Sequence, residues 1–330
     1  MQIFYILLFI PYHFEIITIN LKDFIAMKIK KAIITAAGFG SRFLPFVKNI
    51  PKEMLPVVNK PSIQYLVEEC READIEQIII VVREKHSLIE DYFYKSADNI
   101  KELLVIQNKM DRFEEVENVL KMNNITFIQQ NPAFPYGNGS PVLSAKGLIR
   151  PDESFALLFG DDMVLTQGKK GALSQLIDFY QQNQCDAVMA TQKVPQQDLN
   201  RYAIIKAKES DHNNGCGVID YLIEKPEITD APSNLAGYGR MILPYKIFDY
   251  LIPTATGKDS ELWIQDANDK LSKSIRFMYK IIDGEWMTTG DPTRYLGVQL
   301  KYYLSHPSYR RSVLKLVKSI DLTETPESIK

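Results

Sequence analysis

The chain has 330 residues, 45% hydrophobic and 24% charged, with a formal net charge of −2. These figures suit about two domains, or one large domain with an appendage. They exclude a mainly disordered chain, a collagen-like repeat, a small disulfide scaffold and a global polycation that would bind nucleic acid, while leaving room for a local basic pocket.

The chain begins with an apolar run from Ile3 to Ile10, closed by Pro11. It is too short to span a bilayer, which takes ~20 residues, and it lacks the basic flank and cleavage site of a signal peptide. Met27 and the basic Lys28-Ile29-Lys30-Lys31 follow. The expectation is that Met27 is the initiator and that residues 1–26 are an upstream extension, with an amphipathic surface anchor as the alternative.

Ala32–Ala36 reads as a buried strand running into the loop Gly38-Phe39-Gly40-Ser41-Arg42. Asn59-Lys60-Pro61 opens a helix whose apolar stripe is Ile63, Leu66, Val67 and Cys70. Gln77–Val82 is a strand, Ser87–Tyr94 a helix, 100–122 a helical excursion and Ile125–Gln129 a strand. A second glycine loop, Tyr136-Gly137-Asn138-Gly139-Ser140, leads into a helix over 141–148. Phe155–Phe159 is a strand ending in Gly160-Asp161-Asp162, and helix 171–182 and strand 186–191 follow. This alternation implies a parallel sheet covered on both faces. Beyond about residue 200 the pattern changes. Strands at 202–206, 217–224 and 238–243 and helices at 244–252 and 260–272 suggest a mixed α+β half built against the first, with one helix in the tail after 305.

Three isolated cysteines (Cys70, Cys185, Cys216) form no CxxC pair, and four scattered histidines show no ligand spacing. Neither a zinc site nor a disulfide framework is expected, and a reducing cytoplasm is the natural compartment.

The segment 35–56 carries the strongest chemical signal. Small residues and glycines after a strand let backbone N–H groups approach a phosphate or a base edge. Arg42 adds a bidentate phosphate donor and Lys52 a point charge. Neither the P-loop nor the dinucleotide fingerprint is present. Asp161 stands at the carboxyl end of a strand, where ligands of open α/β sheets bind, and is a natural Mg²⁺ ligand. Taken alone, Gly-Asp-Asp is equally a turn. Asp162 should point to the opposite face and tolerate replacement. Glu224 can accept from sugar hydroxyls and Lys225 can neutralise a phosphate, although such a pair by itself is more often a surface ion pair.

The runs Ala36-Ala37-Gly38-Phe39-Gly40-Ser41-Arg42-Phe43-Leu44-Pro45, Pro51-Lys52-Glu53-Met54-Leu55-Pro56 and Lys60-Pro61-Ser62-Ile63-Gln64-Tyr65 closely resemble the bacterial UTP–glucose-1-phosphate uridylyltransferases, which belong to the sugar-nucleotide nucleotidyltransferases. The resemblance continues in order from about Lys28 to Leu304 through Gly160-Asp161-Asp162, Glu224-Lys225-Pro226, Gly239-Arg240 and Gly290-Asp291-Pro292. It implies an α/β fold: a Rossmann-like, mixed and mostly parallel sheet flanked by helices, with an α+β sugar-binding part. The domain would cover 27–305, split into a nucleotide-binding half (27–200) and a sugar-binding half (201–305), with a tail at 306–330.

The implied reaction transfers uridylyl from UTP to glucose 1-phosphate with Mg²⁺ as cofactor. The implied protein is a homo-oligomer acting on these small substrates, with neither nucleic acid nor membrane as partner. Arg42, Lys52 and Asp161 would be catalytic, with Asp161 binding the metal. The backbone of Ala36, Ala37 and Gly38, with Glu53, Gln130 and Gly137, would hold the nucleotide. Glu224, Lys225 and Gly239 would hold the sugar phosphate.

Departures from the family pattern are Thr288 where the wider superfamily has an aspartate, Ser140-Pro141 in the second glycine loop, Ala203 for a glycine, and Trp263 and Gln265 in Glu261–Ala267. The alternatives are the same chemistry on another sugar phosphate or nucleotide, or a nucleotide-binding regulatory paralogue with little turnover.

Overall fold

A computed structural model describes residues 4–7, 16–19, 28–84, 87–211 and 214–320. Phe4–Leu7 (β1) and Ile16–Ile19 (β2) pair antiparallel. Met27, with the expectation attached to it, lies outside the described residues.

The chain then runs through strand β3 (Lys31–Ala36), the two-residue pair β4 (Pro56–Val57) and β5 (Lys60–Pro61), helix α1 (Ser62–Glu72) and strand β6 (Gln77–Val82). Helices α2 (Leu88–Tyr94), α3 (Asp98–Ile106) and α4 (Phe113–Leu120) lead to β7 (Ile125–Gln129). Helix α5 (Gly139–Ser144), β8 (Ser154–Phe159), β9 (Asp162–Leu165), α6 (Ala172–Asn183) and β10 (Ala187–Lys193) complete the first half. The second half holds β11 (Ala203–Asp211), β12 (Cys216–Glu224), β13 (Leu235–Pro244), α7 (Ile264–Ser272), β14 (Phe277–Ile281), β15 (Glu285–Thr288), α8 (Pro292–Ser305) and α9 (Pro307–Ser319).

Nine strands form one mixed sheet in the order β10-β14-β12-β11-β13-β8-β3-β6-β7. The block β8-β3-β6-β7 is wholly parallel. β13 joins it antiparallel to β8 and also pairs with β11 and β10, so both halves of the chain share the sheet. Alternation sorts the core. Ile34, Ile78, Ile80 and Leu158 pack with α1 and α6 on one face. Ile33, Ile79, Val81 and Leu157 pack with α5 and α7 on the other. The expected stripe on α1 is fully buried, with Pro61 at its N-cap. Arg240 on β13, itself fully buried, grips Glu69 of α1 through two hydrogen bonds of 2.9 and 2.8 Å. Losing one partner of such a pair strands a buried charge at a cost of about 3–5 kcal/mol.

The expected helix 244–252 is only a 3₁₀ turn at Tyr245–Asp249, and helix 260–272 starts at Ile264. The helix expected at 141–148 breaks into α5 and a 3₁₀ turn at Lys146–Leu148. β9, β14, β15 and α8 go beyond the elements expected from sequence, although α8 opens on Asp291, whose carboxylate accepts from the Arg294 N–H at 3.0 Å, with Pro292 in its first turn. β9 and β15 form a four-residue ribbon, too short for alternation to show. α8 buries only Val298, and α9 buries none of its side chains. Among the described residues no helix is long and apolar enough to cross a membrane.

Candidate active site

The carboxyl ends of β3 and β8 open into a cleft of about 1100 Å³. Its walls include Ala37, Gly38, Arg42, Lys52, Glu53, Gln130, Gly137, Asp161, Glu224 and Lys225. These residues span nearly 190 positions of sequence: those up to Asp161 meet because parallel strands deliver their following loops to one edge, and Glu224 and Lys225 join them from the end of antiparallel β12. Two of the expected residues stand apart. Ala36 ends β3 and lines a smaller neighbouring cavity. Gly239 does not line the cleft: its N–H donates to Asp162 Oδ2 at 2.8 Å, and a Cβ there would lie 2.4 Å from Phe159.

Lys52 and Asp161 occupy the cleft floor. Lys52 Nζ donates to Asp161 Oδ2 at 2.5 Å and lies 3.7 Å from Glu53 Oε1. Burial works against the ammonium, but the charges of Asp161 and Glu53 outweigh it and hold Lys52 above the usual lysine range. Burial pushes the Asp161 carboxyl up, yet Lys52 and its hydrogen bond prevail and keep Asp161 below the usual range. Glu53 is 1% exposed, and burial raises its carboxyl despite Lys52. Glu53, expected at the base, thus sits beside Lys52, and its Oε2 is buried without a hydrogen bond.

Asp162 also borders the cleft, but its carboxylate is tied into a buried network. It accepts from Gly239, its backbone carbonyl accepts from Arg240 at 3.1 Å, and burial followed by the Asp161 charge pushes its carboxyl up to about 7. The expected tolerance at Asp162 does not fit this packing, because its carboxylate is 5% exposed and held by the Gly239 N–H.

Thr288 lies directly opposite Asp162 in the β9–β15 ribbon. Thr289 N–H donates to the Asp161 carbonyl at 2.7 Å, and Gly290 N–H donates to Thr288 Oγ1 at 3.1 Å. A Cβ built on Gly290 would lie 3.2 Å from Thr288 Oγ1 and 3.3 Å from Asp161 Oδ2. The Thr288 hydroxyl and the Asp161 carboxylate therefore flank one point. Arg42 is exposed and donates to the Gly290 carbonyl at 3.4 Å.

The second glycine loop is interlocked with the segment before α7. Gly139 N–H donates to the Leu262 carbonyl at 2.8 Å, Leu262 N–H to the Tyr136 carbonyl at 2.7 Å, and Ile264 N–H to Asn138 Oδ1 at 2.9 Å. Gly137 has φ +130°, and a Cβ there would meet the Leu262 carbonyl oxygen at 2.4 Å, so only glycine fits.

At the far end, Glu224 closes β12 and its side chain is 9% exposed. Burial, then the charges of Asp266 and Glu261, push it up to about 7 against the pull of Lys225. Lys225 adopts a left-handed φ of 46°. Ala203 pairs with Glu224 in register and is 3% exposed.

Apart from Trp263, the aromatic groups in the cleft wall carry no role expected from sequence. Trp286 stacks on Tyr238 at 5.0 Å and meets Tyr202 edge-on at 4.7 Å. Phe39 and Tyr136 face each other at 5.6 Å. The available signal was adjacency, since each stands within two residues of a quoted motif residue.

A partly buried lysine–carboxylate pair between two glycine loops, at the open edge of the parallel block of the sheet, defines a phosphate-handling transferase site. The chain belongs to the nucleotidyl transferase family, whose model matches residues 31–304. It is similar to the UTP–glucose-1-phosphate uridylyltransferase of Staphylococcus epidermidis, at 37% identity over 300 residues, covering 89% of this chain and 99% of the relative. The Staphylococcus haemolyticus enzyme of the same name is 36% identical over 296 residues, covering 89% of this chain and 99% of the relative. Among solved structures, a UDP-glucose pyrophosphorylase complexed with UDP-glucose has a TM-score of 0.75 at 34% identity, covering 84% of this chain and all of that one. A UTP-bound enzyme from Acinetobacter baumannii has a TM-score of 0.78 at 32% identity, covering 89% and 100%.

Proposed function

We propose that this protein is a uridylyltransferase that converts UTP and α-D-glucose 1-phosphate into UDP-glucose and pyrophosphate. A phosphate oxygen of the sugar phosphate attacks the α-phosphorus of UTP. A new P–O bond forms, the bond to the bridging oxygen of the β-phosphate breaks, and pyrophosphate carries away the electron pair. The nucleophile is already an anion, so the protein's task is positioning and charge neutralisation.

The observation that carries this reading is the Lys52–Asp161 pair, set at 2.5 Å between the first glycine loop and Glu224-Lys225 in one cleft. Ala37, Gly38, Gln130 and Gly137 would receive the nucleotide. Arg42 and Lys52 would neutralise the triphosphate. Glu224 would accept from glucose hydroxyls and Lys225 would meet the sugar phosphate.

Asp161 suits a hard divalent cation: its carboxylate is held ionised, faces the cleft and has the Thr288 hydroxyl beside it. Among the described residues no group of three or more His, Cys, Asp or Glu side chains is placed to hold a metal, so substrate phosphates would complete the coordination. Bound Mg²⁺ would supply further neutralisation of phosphate charge.

Pyrophosphate release from a panel of nucleoside triphosphates and sugar 1-phosphates, with Mg²⁺ present, tests the assignment. UTP with glucose 1-phosphate is expected to give the highest kcat/KM. Faster turnover of another pair would move the reading to that pair.

A further inference from the structure

Lys52 holds the carboxylate that a divalent cation would need. Its ammonium donates to Asp161 Oδ2 at 2.5 Å, and the same oxygen borders the point shared with Thr288 Oγ1. A cation on the other oxygen of Asp161 would still stand a few ångströms from the ammonium, where like charges repel. Asp161 is not free to withdraw. Gly160 N–H donates to the Thr35 carbonyl at 2.9 Å, and Thr289 N–H donates to the Asp161 carbonyl at 2.7 Å. The partner able to move is Lys52, through its long four-carbon stem. That stem runs along the first glycine loop: a Cβ at Gly38 would lie 3.4 Å from Lys52 Cε, and one at Gly40 would lie 3.3 Å from Lys52 Cβ. Glu53 lies on the other side of the ammonium, with Oε1 at 3.7 Å and Oε2 buried without a hydrogen bond. The ammonium can therefore leave Asp161 and keep a counter-charge on the cleft floor.

We propose that Lys52 closes the cation site of this protein: its ammonium takes the place of the metal on Asp161 and gives up that carboxylate only to a phosphate chain laid on the first glycine loop. This rests on the assignment of Asp161 to the cation and of Lys52 to the triphosphate. One ammonium and one carboxylate in contact leave no net charge to draw a free divalent ion. Among the described residues no group of three or more His, Cys, Asp or Glu side chains is placed to outbid the pair for such an ion. A phosphate chain changes the balance, because it offers Lys52 a second anion and offers the cation oxygen ligands. Cation and phosphate chain are thus coupled through one side chain, and each must strengthen binding of the other by the same factor.

Binding of Mn²⁺ in the absence of any substrate, followed through loss of the free-ion electron paramagnetic resonance signal, tests this without turnover. The proteins compared are the parent, Lys52→Met, Asp161→Asn and the Lys52→Met/Asp161→Asn double variant. Lys52→Met is expected to bind Mn²⁺ roughly tenfold or more tighter than the parent, within the ordinary range of coupling between two ligands. The double variant should lose that gain, which places it at Asp161. Calorimetry with Mg²⁺ should rank the four proteins in the same order.

Lys52→Met binding Mn²⁺ no more tightly than the parent would overturn the proposal. So would a gain that persists in the double variant, since the ion would then sit elsewhere. A parent that binds Mn²⁺ as tightly as Lys52→Met, and loses it in Asp161→Asn, would show a cation site at Asp161 that Lys52 does not close. That result removes only the present proposal. If Asp161→Asn leaves pyrophosphate release and its Mg²⁺ dependence unchanged, the metal assignment itself fails. Thermal melts of each variant establish folding, and Lys52→Gln supplies a second uncharged side chain should methionine destabilise the fold.

Discussion

The end of the cleft assigned to the nucleotide rests on β3 and β8 of the parallel block, whereas the end assigned to the sugar phosphate rests on antiparallel β11 and β12 and the segment before α7. At the first end the charges are closed on one another, with Lys52 at 2.5 Å from Asp161. At the second the ion pair is looser: Glu224 is desolvated, Lys225 Nζ lies 3.7 Å from it, and the ammonium also lies 3.9 Å from the Trp263 ring centroid. The departures from the family pattern fall at both ends, with Ser140-Pro141 in the second glycine loop after Gly137. Ala203, Trp263 and Gln265 line the second end, and Thr288 stands beside Asp161. A triphosphate is met by charge and backbone N–H groups, which leave few side-chain choices. A hexose is met by shape and packing, where side chains can be exchanged and compensated.

The largest effect expected from this contrast is at Asp161. Asp161→Asn should lower kcat by about 10²–10³ or more, in line with loss of a group aimed at transition-state charge, while the fold persists. Near-normal turnover in this variant would remove the metal and charge-neutralising role of the first end. Gly137→Ala comes next. A left-handed φ and a 2.4 Å approach to the Leu262 carbonyl make any side chain there strained, at a cost of about 3 kcal/mol. Because the same contact secures Trp263, the variant should lower the melting temperature and raise KM for both substrates. A rise confined to UTP would show that the two ends are not linked through this loop.

Glu224 gives the two ends opposite responses to pH. Its carboxyl is raised from 4.5 to about 7 by burial, so the folded chain binds more protons than the unfolded chain between those values. Stability contributed by this group therefore falls as pH rises from about 4.5 to 7 and levels off above that. Asp161 is lowered, so its contribution is present above the ordinary aspartate range and is lost on acidification. Glu224→Gln removes the first of these. Denaturant melts at pH 4.5 and pH 7.5 should show the variant gaining about 2–3 kcal/mol relative to the parent at the higher pH. A difference independent of pH would mean that the Glu224 carboxyl titrates in the fold as it does in the unfolded chain.

The first end was also the more legible in sequence. Ile33, Ile34, Ile79 and Ile80 announce buried strands because a parallel strand is apolar on both faces, and α1 displays its stripe because it lies flat on the sheet. The residues of the first glycine loop and Lys52 fall within 20 positions, so spacing alone suggests a phosphate site. The second end depends on contacts that no local pattern carries. Lys225 and Trp263 are 38 positions apart, and Gly137 meets Leu262 across 125 positions. Asp162 illustrates the limit of periodicity: alternation does not say whether a face is solvent or core, and its carboxylate lies in a buried network. α8 opens on Asp291-Pro292 and turns Tyr295, Val298 and Tyr302 inward, but the exposed Leu296 and Leu300 interleave with that stripe and blur it.

The smallest expected effect lies at Thr288, where the two ends meet. Its hydroxyl and the Asp161 carboxylate flank one point, so Thr288→Asp would set a second carboxylate against the first. Without a cation, two like charges at such range repel and favour protonation of one of them. The variant should therefore melt lower than the parent in the absence of Mg²⁺ and recover on adding it. With Mg²⁺, the added charge should strengthen binding, and a separation of a few ångströms in a partly solvated cleft makes roughly a threefold to tenfold shift reasonable. The Mg²⁺ concentration for half-maximal pyrophosphate release should fall by that factor. The Gly290 N–H, which now donates to Thr288 Oγ1 at 3.1 Å, would find an acceptor in the new carboxylate, so the turn should survive the change. Superimposable titrations of parent and variant would establish that Asp161 and the substrate phosphates already saturate the cation, and that the neutral residue at 288 costs this site nothing.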